Sequence, residues 1–510
     1  MHAVGEVRDT PACSHRDWLA LHRCREDEGC HYLQTHKCLA RLVIDGTNAS
    51  WFTAGARGAN NLLRCLCVMM VVWLAGCGAE NFNRPGDGGN ETLYTALYPY
   101  YAEFCAVSQI DKKVGFGADI RGQPGGHSVF YLNGACRDSG TAYPVLRLCD
   151  PSERAGDESA RSDDGRLDGV GLSMNAHFSN AKWVAVPGRA FFFDGGLPPN
   201  HGLTRADYLR AKATAKQLGI YRAIKFHKEV FDDKPADVSE EDWKYEVSIA
   251  TDYAISFGRG RFCARVPVDR TQMERMIAFL NAQNAPYREG KATFEWSVFQ
   301  DNCIHLAHNA LAAAGVWPEW PIDMPLLFAI FDFPVPKNDF VNLVLRVNDP
   351  PDLDLLAIYH DPTAARSLAE FDRLPWQPGA VVESRPPQTP NDVYDTNLGM
   401  LFYDDPITGR YQARLDQIFS HPRYFDIEQN LRYFAALFHR LGAERRPLST
   451  WLAREEFRDP EARQRFTDFY RQFYAFVAKE DVTIEARLAR LTTMTRDNIR
   501  LRPLDQAAAR

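Results

Sequence analysis

The cysteine at position 303 stands in the run Asp301-Asn302-Cys303-Ile304-His305-Leu306. Behind it Leu306, Ala310, Leu311 and Ala314 recur at helical spacing and Gly315 marks a stop, so the run reads as a helix. Asp301 and Asn302 are good N-cap residues, which starts the helix at or just before Cys303. A thiol in a first turn lies among unpaired N–H groups at the positive end of the helix dipole. That position favours thiolate, lowers the pKa from about 8.5 and makes a nucleophile. A thiol nucleophile needs an imidazole within hydrogen-bond reach, brought close by the fold and not by the sequence. The candidate is His127, which follows Gly125-Gly126 and opens a run of strand character, Ser128-Val129-Phe130-Tyr131-Leu132. In such a pair Cys303 attacks a carbonyl, and His127 takes the thiol proton and returns one to the leaving group. The Cys303 N–H at the helix start would help hold the oxyanion.

A third group could orient the imidazole. Alternation sorts the run from Val170 into an apolar face (Val170, Leu172, Met174, Ala176) and a polar one (Gly171, Ser173, Asn175, His177). Asn175 and His177 are the candidates there, against the alternative of a plain solvent-facing strand. His305 and His308 stand three apart on one helical turn and could share a metal, but no carboxylate or third histidine stands obviously near them in sequence. No phosphate loop, H-E-x-x-H, G-x-S-x-G or strand-borne G-x-G-x-x-G occurs. The reading calls for no metal and no organic cofactor.

Asn302-Cys303-Ile304-His305-Leu306 resembles the Asn-Cys-x-His-hydrophobic motif of the lecithin:retinol acyltransferase-like proteins. Gly126-His127 before a strand resembles the upstream histidine of that group and of the Lnb N-terminal periplasmic domains. Both belong to the circularly permuted papain-like amidase superfamily, in which His precedes Cys. The resemblance covers at most residues 96–325 and rests on these two motifs. It implies a peptide or peptidoglycan amide as substrate, or an acyl lipid in second place.

The elements that must position the pair follow from the pattern. The fold class expected is α+β: a permuted papain-like domain over 92–325, with the nucleophile helix on an antiparallel sheet, then a mainly helical C-terminal domain over 391–510. Residues 92–108 read as an aromatic helix. Strands are expected at 129–132, 143–148, 170–176, 182–186, 190–193, 225–230, 248–257 and 262–266, and helices at 204–218 and 271–281. Residues 151–169 are a charged loop, and with 195–250 they are the insertions that a separation of 176 residues between His127 and Cys303 (303 − 127) demands. Prolines 375, 378, 386, 387 and 390 mark 326–390 as a connecting region. Beyond it Leu431, Phe434, Leu437, Phe438 and Leu441 form one helical stripe, and Phe466, Phe469, Tyr470, Phe473 and Val477 another, with arginines as the solvated face.

The 510 residues are 45% hydrophobic and 25% charged, as in ordinary globular protein, and a net charge of −7 gives no nucleic-acid footprint. Arg57 and Arg64 precede the apolar run Leu66–Ala75, which is followed by Gly76-Cys77-Gly78. A basic flank, a short apolar run and small residues make a secretory signal, too short to span a bilayer. Leu74-Ala75-Gly76-Cys77 resembles a bacterial lipobox over a signal segment, 61–77, in which Cys77 would be lipidated. Gly78 after it, in place of an aspartate, implies an outer-membrane lipoprotein facing the periplasm. Residues 78–91 read as a flexible tether, and the Cys- and His-bearing segment 1–60 as either an over-extended start or a cytoplasmic extension. The expectation is therefore a cell-envelope lipoprotein acting as a cysteine hydrolase, held to the membrane by its lipid. The alternatives are a lipid acyltransferase or esterase, or a non-catalytic papain-like binding module.

Downstream of Cys77 stand Cys105, Cys136, Cys149, Cys263 and Cys303. Two disulfides would leave one free thiol, expected to be Cys303, with three pairings open for the rest.

Overall fold

The computed structural model describes residues 75–85, 91–118, 120, 126–150, 169–198, 201–325, 334–350, 354–396, 399–404 and 410–501, the side chains of 75–79, 403 and 497–501 excepted. Two compact units result, Met1–Gly78 and Ala79–Arg510. Of the first, only 75–78 are described, as part of an extended segment, so the expectations for 1–60 and for most of the signal lie outside the described residues. The charged loop 151–168 lies outside them as well.

The second unit mixes α and β around an antiparallel sheet. Its strands are β1 (Tyr101–Val107), β2 (His127–Asn133), β5 (Gly169–Ser173), β6 (Val184–Pro187), β7 (Arg261–Pro267) and β8 (Val381–Arg385); β3 (Ala135–Arg137) and β4 (Leu146–Leu148) form a separate ribbon. The six-stranded order is β6-β5-β2-β1-β7-β8, with every neighbouring pair antiparallel. β1 is central: Val107 stands opposite both His127 and Arg261, so the start of β2 and the start of β7 flank the end of β1.

Alternation gives the sheet two faces of different character. Ala102, Phe104, Ala106, Ser128, Phe130, Leu132, Phe262 and Ala264 share one by register, and all are buried. Helices α5 (Arg270–Arg288), α6 (Cys303–Ala313) and α7 (Pro336–Asn348) cover this side: α6 packs on β2 and α5, and α7 packs on β1 and β7. On the other face lie Glu103, Cys105, His127, Val129, Tyr131, Arg261, Cys263, Arg265 and Glu383. Helix α2 (Arg189–Asp194) closes it with Phe192 and Phe193 against Tyr131. Gly171 is required here, because any Cβ would collide with the Phe192 ring.

This second face buries a charge network. Arg189 grips Glu103 through two bonds of 2.9 and 2.8 Å and also reaches Glu91 and Glu383, while Arg265 donates to Glu383 at 2.6 Å. Burial opposes the charges, and the paired arginines hold both Glu103 and Glu383 below the usual carboxylate range.

Several expectations change. The aromatic run from residue 92 is not one helix: α1 (Glu91–Leu97) stops before Pro99, and Tyr101 onward becomes the central strand. Residues 190–193 belong to α2, and 248–257 form a turn and a 3-10 segment, Ile255–Phe257, instead of a strand. Part of the expected tether is packed: Phe82 is 5% exposed against Phe262, its carbonyl accepts from Ser384 Oγ, and Glu80 pairs with Lys337. A phenylalanine inside a polar stretch is the signal for that burial. Residues 381–385, inside the proline-marked connection, supply edge strand β8. The two aromatic stripes are buried between α11 (Ile427–Ala443) and the long helix Pro460–Leu501. No helix among the described residues is long and apolar enough to cross a membrane.

Candidate functional site

Cys303 is the first residue of α6 and Asn302 its N-cap. Asn302 Oδ1 accepts from the N–H of Ile304 at 2.9 Å and of His305 at 3.4 Å, and its Nδ2 donates to the Val298 carbonyl at 2.7 Å. The cap thus occupies the next two N–H groups of the turn. The thiol is free and half-buried. The other four cysteines of this unit are bridged, Cys105 to Cys263 across β1 and β7 and Cys136 to Cys149 across the ribbon.

The thiol meets Ser128, through hydroxyl and backbone, and the charge of the Arg259 guanidinium acts on it. Ser128 Oγ has no oxygen or nitrogen partner among the described residues. Burial pushes the Cys303 thiol up, and Ser128, its own N–H and Arg259 only partly offset this. The helix start therefore acts in the expected direction, but desolvation outweighs it, and the resting group is a thiol.

His127 opens β2. Gly126 before it has φ +76°, and a Cβ there would strike the Val107 carbonyl. Because neighbouring residues alternate, Ser128 points toward the face covered by α6 and His127 toward the opposite one. There Nε2 lies 3.3 Å from Ser173 Oγ, and Ser173 bonds Asp252 Oδ1 at 2.7 Å. Asn175 Nδ2 reaches both Asp252 oxygens at 3.2 Å, and Tyr221 OH donates to Oδ2 at 2.9 Å. Burial and the Arg259 charge depress the His127 pKa to about 3, against the Thr251 carbonyl, which raises it. Burial lifts Asp252 to about 6 in spite of the hydrogen-bonding side chains around it, Ser173, Tyr221 and Asn175 foremost.

Of the candidate residues, then, the fold brings His127 and Asn175 into one network. It sets Cys303 on the other side of the same strand end, in contact with the residue after His127. His177 stands apart: its N–H bonds Asn175 Oδ1 at 3.1 Å, but its ring lies 6.0 Å from that of Phe226 and its buried Nδ1 has no partner among the described residues. Burial and His227 lower its pKa to about 4. Cys77 lies at the end of the first unit, its side chain outside the described residues. His305 and His308 do not converge on a common point. His305 Nδ1 meets Asn302 Oδ1 at 3.2 Å, whereas His308 meets Asp339 and the Pro318 carbonyl and stacks on Trp317. Among the described residues the one cluster with metal-ligand spacing is Glu103, Cys105 and Cys263, and its two sulfurs are bonded to each other.

Sequence reasoning missed Arg259, Ser173 and Asp252. Ser173 was on the polar face of its strand, so alternation pointed to it. Nothing local distinguishes Asp252, which sits in a turn inside the expected strand 248–257, or Arg259, which lies between that stretch and β7.

Compared with protein-family models, curated proteins and solved structures, the chain matches none.

Proposed function

We propose that the protein is a cysteine hydrolase of permuted papain-like fold, acting on an amide of a peptide or of peptidoglycan, with Cys303 as nucleophile and His127 as base. The observation that carries this reading is the pairing of a free thiol at a capped helix start with a buried Ser173–Asp252 relay behind the first histidine of the strand it packs on. Nε2 is engaged by Ser173, which leaves Nδ1 as the base. Since His127 and Cys303 stand on opposite sides of the strand end, the thiol proton passes to Nδ1 by way of a water at that end as Cys303 attacks, and is returned to the leaving amine. The attack joins Sγ to the carbonyl carbon, the amine departs, and water releases the acyl group. The Cys303 N–H and the Ser128 hydroxyl are the donors at hand for the oxyanion. A lipid on Cys77 would keep the enzyme at the bacterial envelope, facing the periplasm.

A second reading, a papain-like binding module without turnover, is favoured by two features: Cys303 and His127 lie on opposite sides of the strand end, and their proton affinities are inverted. The thiol is raised and His127 depressed, the opposite of a thiolate–imidazolium pair. One experiment separates the two. An amide- or ester-based acylating probe should label the parent at Cys303 and fail on folded Cys303→Ala and His127→Ala variants, with the double variant no worse than either. A parent that takes no acyl label while iodoacetamide still alkylates Cys303 makes the protein a binder.

A further inference from the structure

Arg259 is a buried cation with no carboxylate within ion-pair distance among the described residues. It is 4% exposed, and its Nε and Nη1 donate to the carbonyls of Ala250 at 2.9 Å and Ser108 at 2.8 Å. Other buried arginines near the sheet are satisfied differently: Arg189 and Arg265 each hold a carboxylate at hydrogen-bond distance, and Arg261 reaches Asp194 at 3.4 Å. A guanidinium taken out of water without an anion is costly, so a site that keeps one has an anion to receive.

Backbone register fixes where that charge lies. Ser108 follows Val107, which stands opposite both His127 and Arg261, and Ser108 and Gly260 bond each other through N–H and carbonyl at 2.9 Å. Arg259 is thereby strapped across the end of β1, at the strand ends where His127 begins and where α6 presents Cys303. Its charge acts on both, favouring the anion at Cys303 and disfavouring the cation at His127.

We infer that Arg259 is a positioning residue whose fixed charge stabilises the thiolate of Cys303. The reacting pair is then a thiol that ionises toward a permanent guanidinium, with the imidazole carrying the proton only in passing. This rests on the reading of Cys303 as a nucleophile but not on any substrate. The charged group that acts on the thiol is Arg259, on which Tyr394 and Asp252 act in turn; His127 stands across the strand from it beside Ser173, and His305 on α6 itself is held by Asn302.

The test is the pH profile of iodoacetamide alkylation at Cys303, which reads the thiolate whether or not the protein turns anything over. Folding is checked by circular dichroism. Arg259→Gln should shift the profile upward, alkylate at least tenfold more slowly at pH 7.5, and converge with the parent at high pH. Arg259→Lys should stay within about threefold of the parent. An unchanged profile in folded Arg259→Gln overturns the inference. If that variant does not fold, Arg259→His replaces it: above about pH 7 an imidazole of ordinary pKa is neutral. Its rate there should fall at least tenfold below that of the lysine variant, and equal rates overturn the inference. Normal alkylation shifts with no acyl labelling of the parent would instead count against the hydrolase reading alone.

Discussion

Ser173 Oγ lies 3.3 Å from Nε2 of His127 on the neighbouring strand, and it is the side chain through which that imidazole reaches a carboxylate. The single hydroxyl hydrogen goes to Asp252, so Ser173 accepts from the imidazole N–H and Asp252 fixes it from behind. A ring held this way has one orientation.

Removing the relay should therefore cost chemistry more than it costs the thiol. Ser173→Ala and Asp252→Asn are expected to slow acyl-enzyme formation about tenfold, equivalent to about 1.4 kcal/mol. The rate of Cys303 alkylation at the same pH should change little. Ser173→Ala should also lower stability by about 1–3 kcal/mol, since it strips a partner from a buried carboxylate. Equal acylation rates in parent and both variants would leave the relay a purely structural feature.

Acid should destabilise the fold through its histidines. His127 sits at about 3, and His177 and His305 at about 4, all below the ordinary value near 6.5 because burial disfavours the cation. The folded state thus binds fewer protons than the unfolded one between these values, so stability is full above pH 6.5 and is lost as pH falls toward 4 and 3. Asp252, raised to about 6, works in the opposite sense, gaining stability as pH falls from 6 toward 4. Three groups outweigh one. Urea melts should show a falling midpoint below pH 6.5, and His305→Gln should make that fall shallower. A midpoint flat down to pH 4 contradicts the buried neutral histidines.

Peptide mapping without reductant should return Cys105 linked to Cys263 and Cys136 linked to Cys149, with Cys303 alone alkylated among these five. Replacing both Cys105 and Cys263 by alanine should cost about 2–4 kcal/mol, because the bridge closes a long loop of the unfolded chain. Cys303 found in a stable bridge would remove the nucleophile.

The network on the α2 face predicts an asymmetric cost. Arg189→Met leaves Glu103 and Glu383 buried with fewer partners and should destabilise by about 3–5 kcal/mol in thermal or urea unfolding. Arg270→Ala, which breaks an exposed pair with Glu274 on α5, should leave the unfolding midpoint close to that of the parent. Similar losses from both would mean that the network is solvated.

Expression in a bacterium with labelled fatty acid tests the lipid anchor: label on Cys77 with loss of residues 1–76 is expected. An unlabelled soluble product that retains the upstream segment refutes it.

What the sequence determined by itself is local. Asn302 before an apolar period starts α6 at Cys303, Thr204 caps the helix Arg205–Leu218, and Gly126 before an apolar run opens β2 at His127. Each depends on residues within one turn or one strand, where propensity and capping are strong. The odd thiol was also legible, since five cysteines cannot all pair. Tertiary structure decided the rest. Tyr101–Val107 is a strand because the sheet needs a centre between β2 and β7, a demand that no residue in the aromatic run expresses. Which cysteines bond follows from register, which sets Cys105 opposite Cys263. The charge beside the thiol comes from Arg259, 44 residues upstream in sequence (303 − 259). Its role exists only because the end of β1 holds it there, and burial, which no local pattern specifies, reverses the pKa shift that the helix start alone would give Cys303.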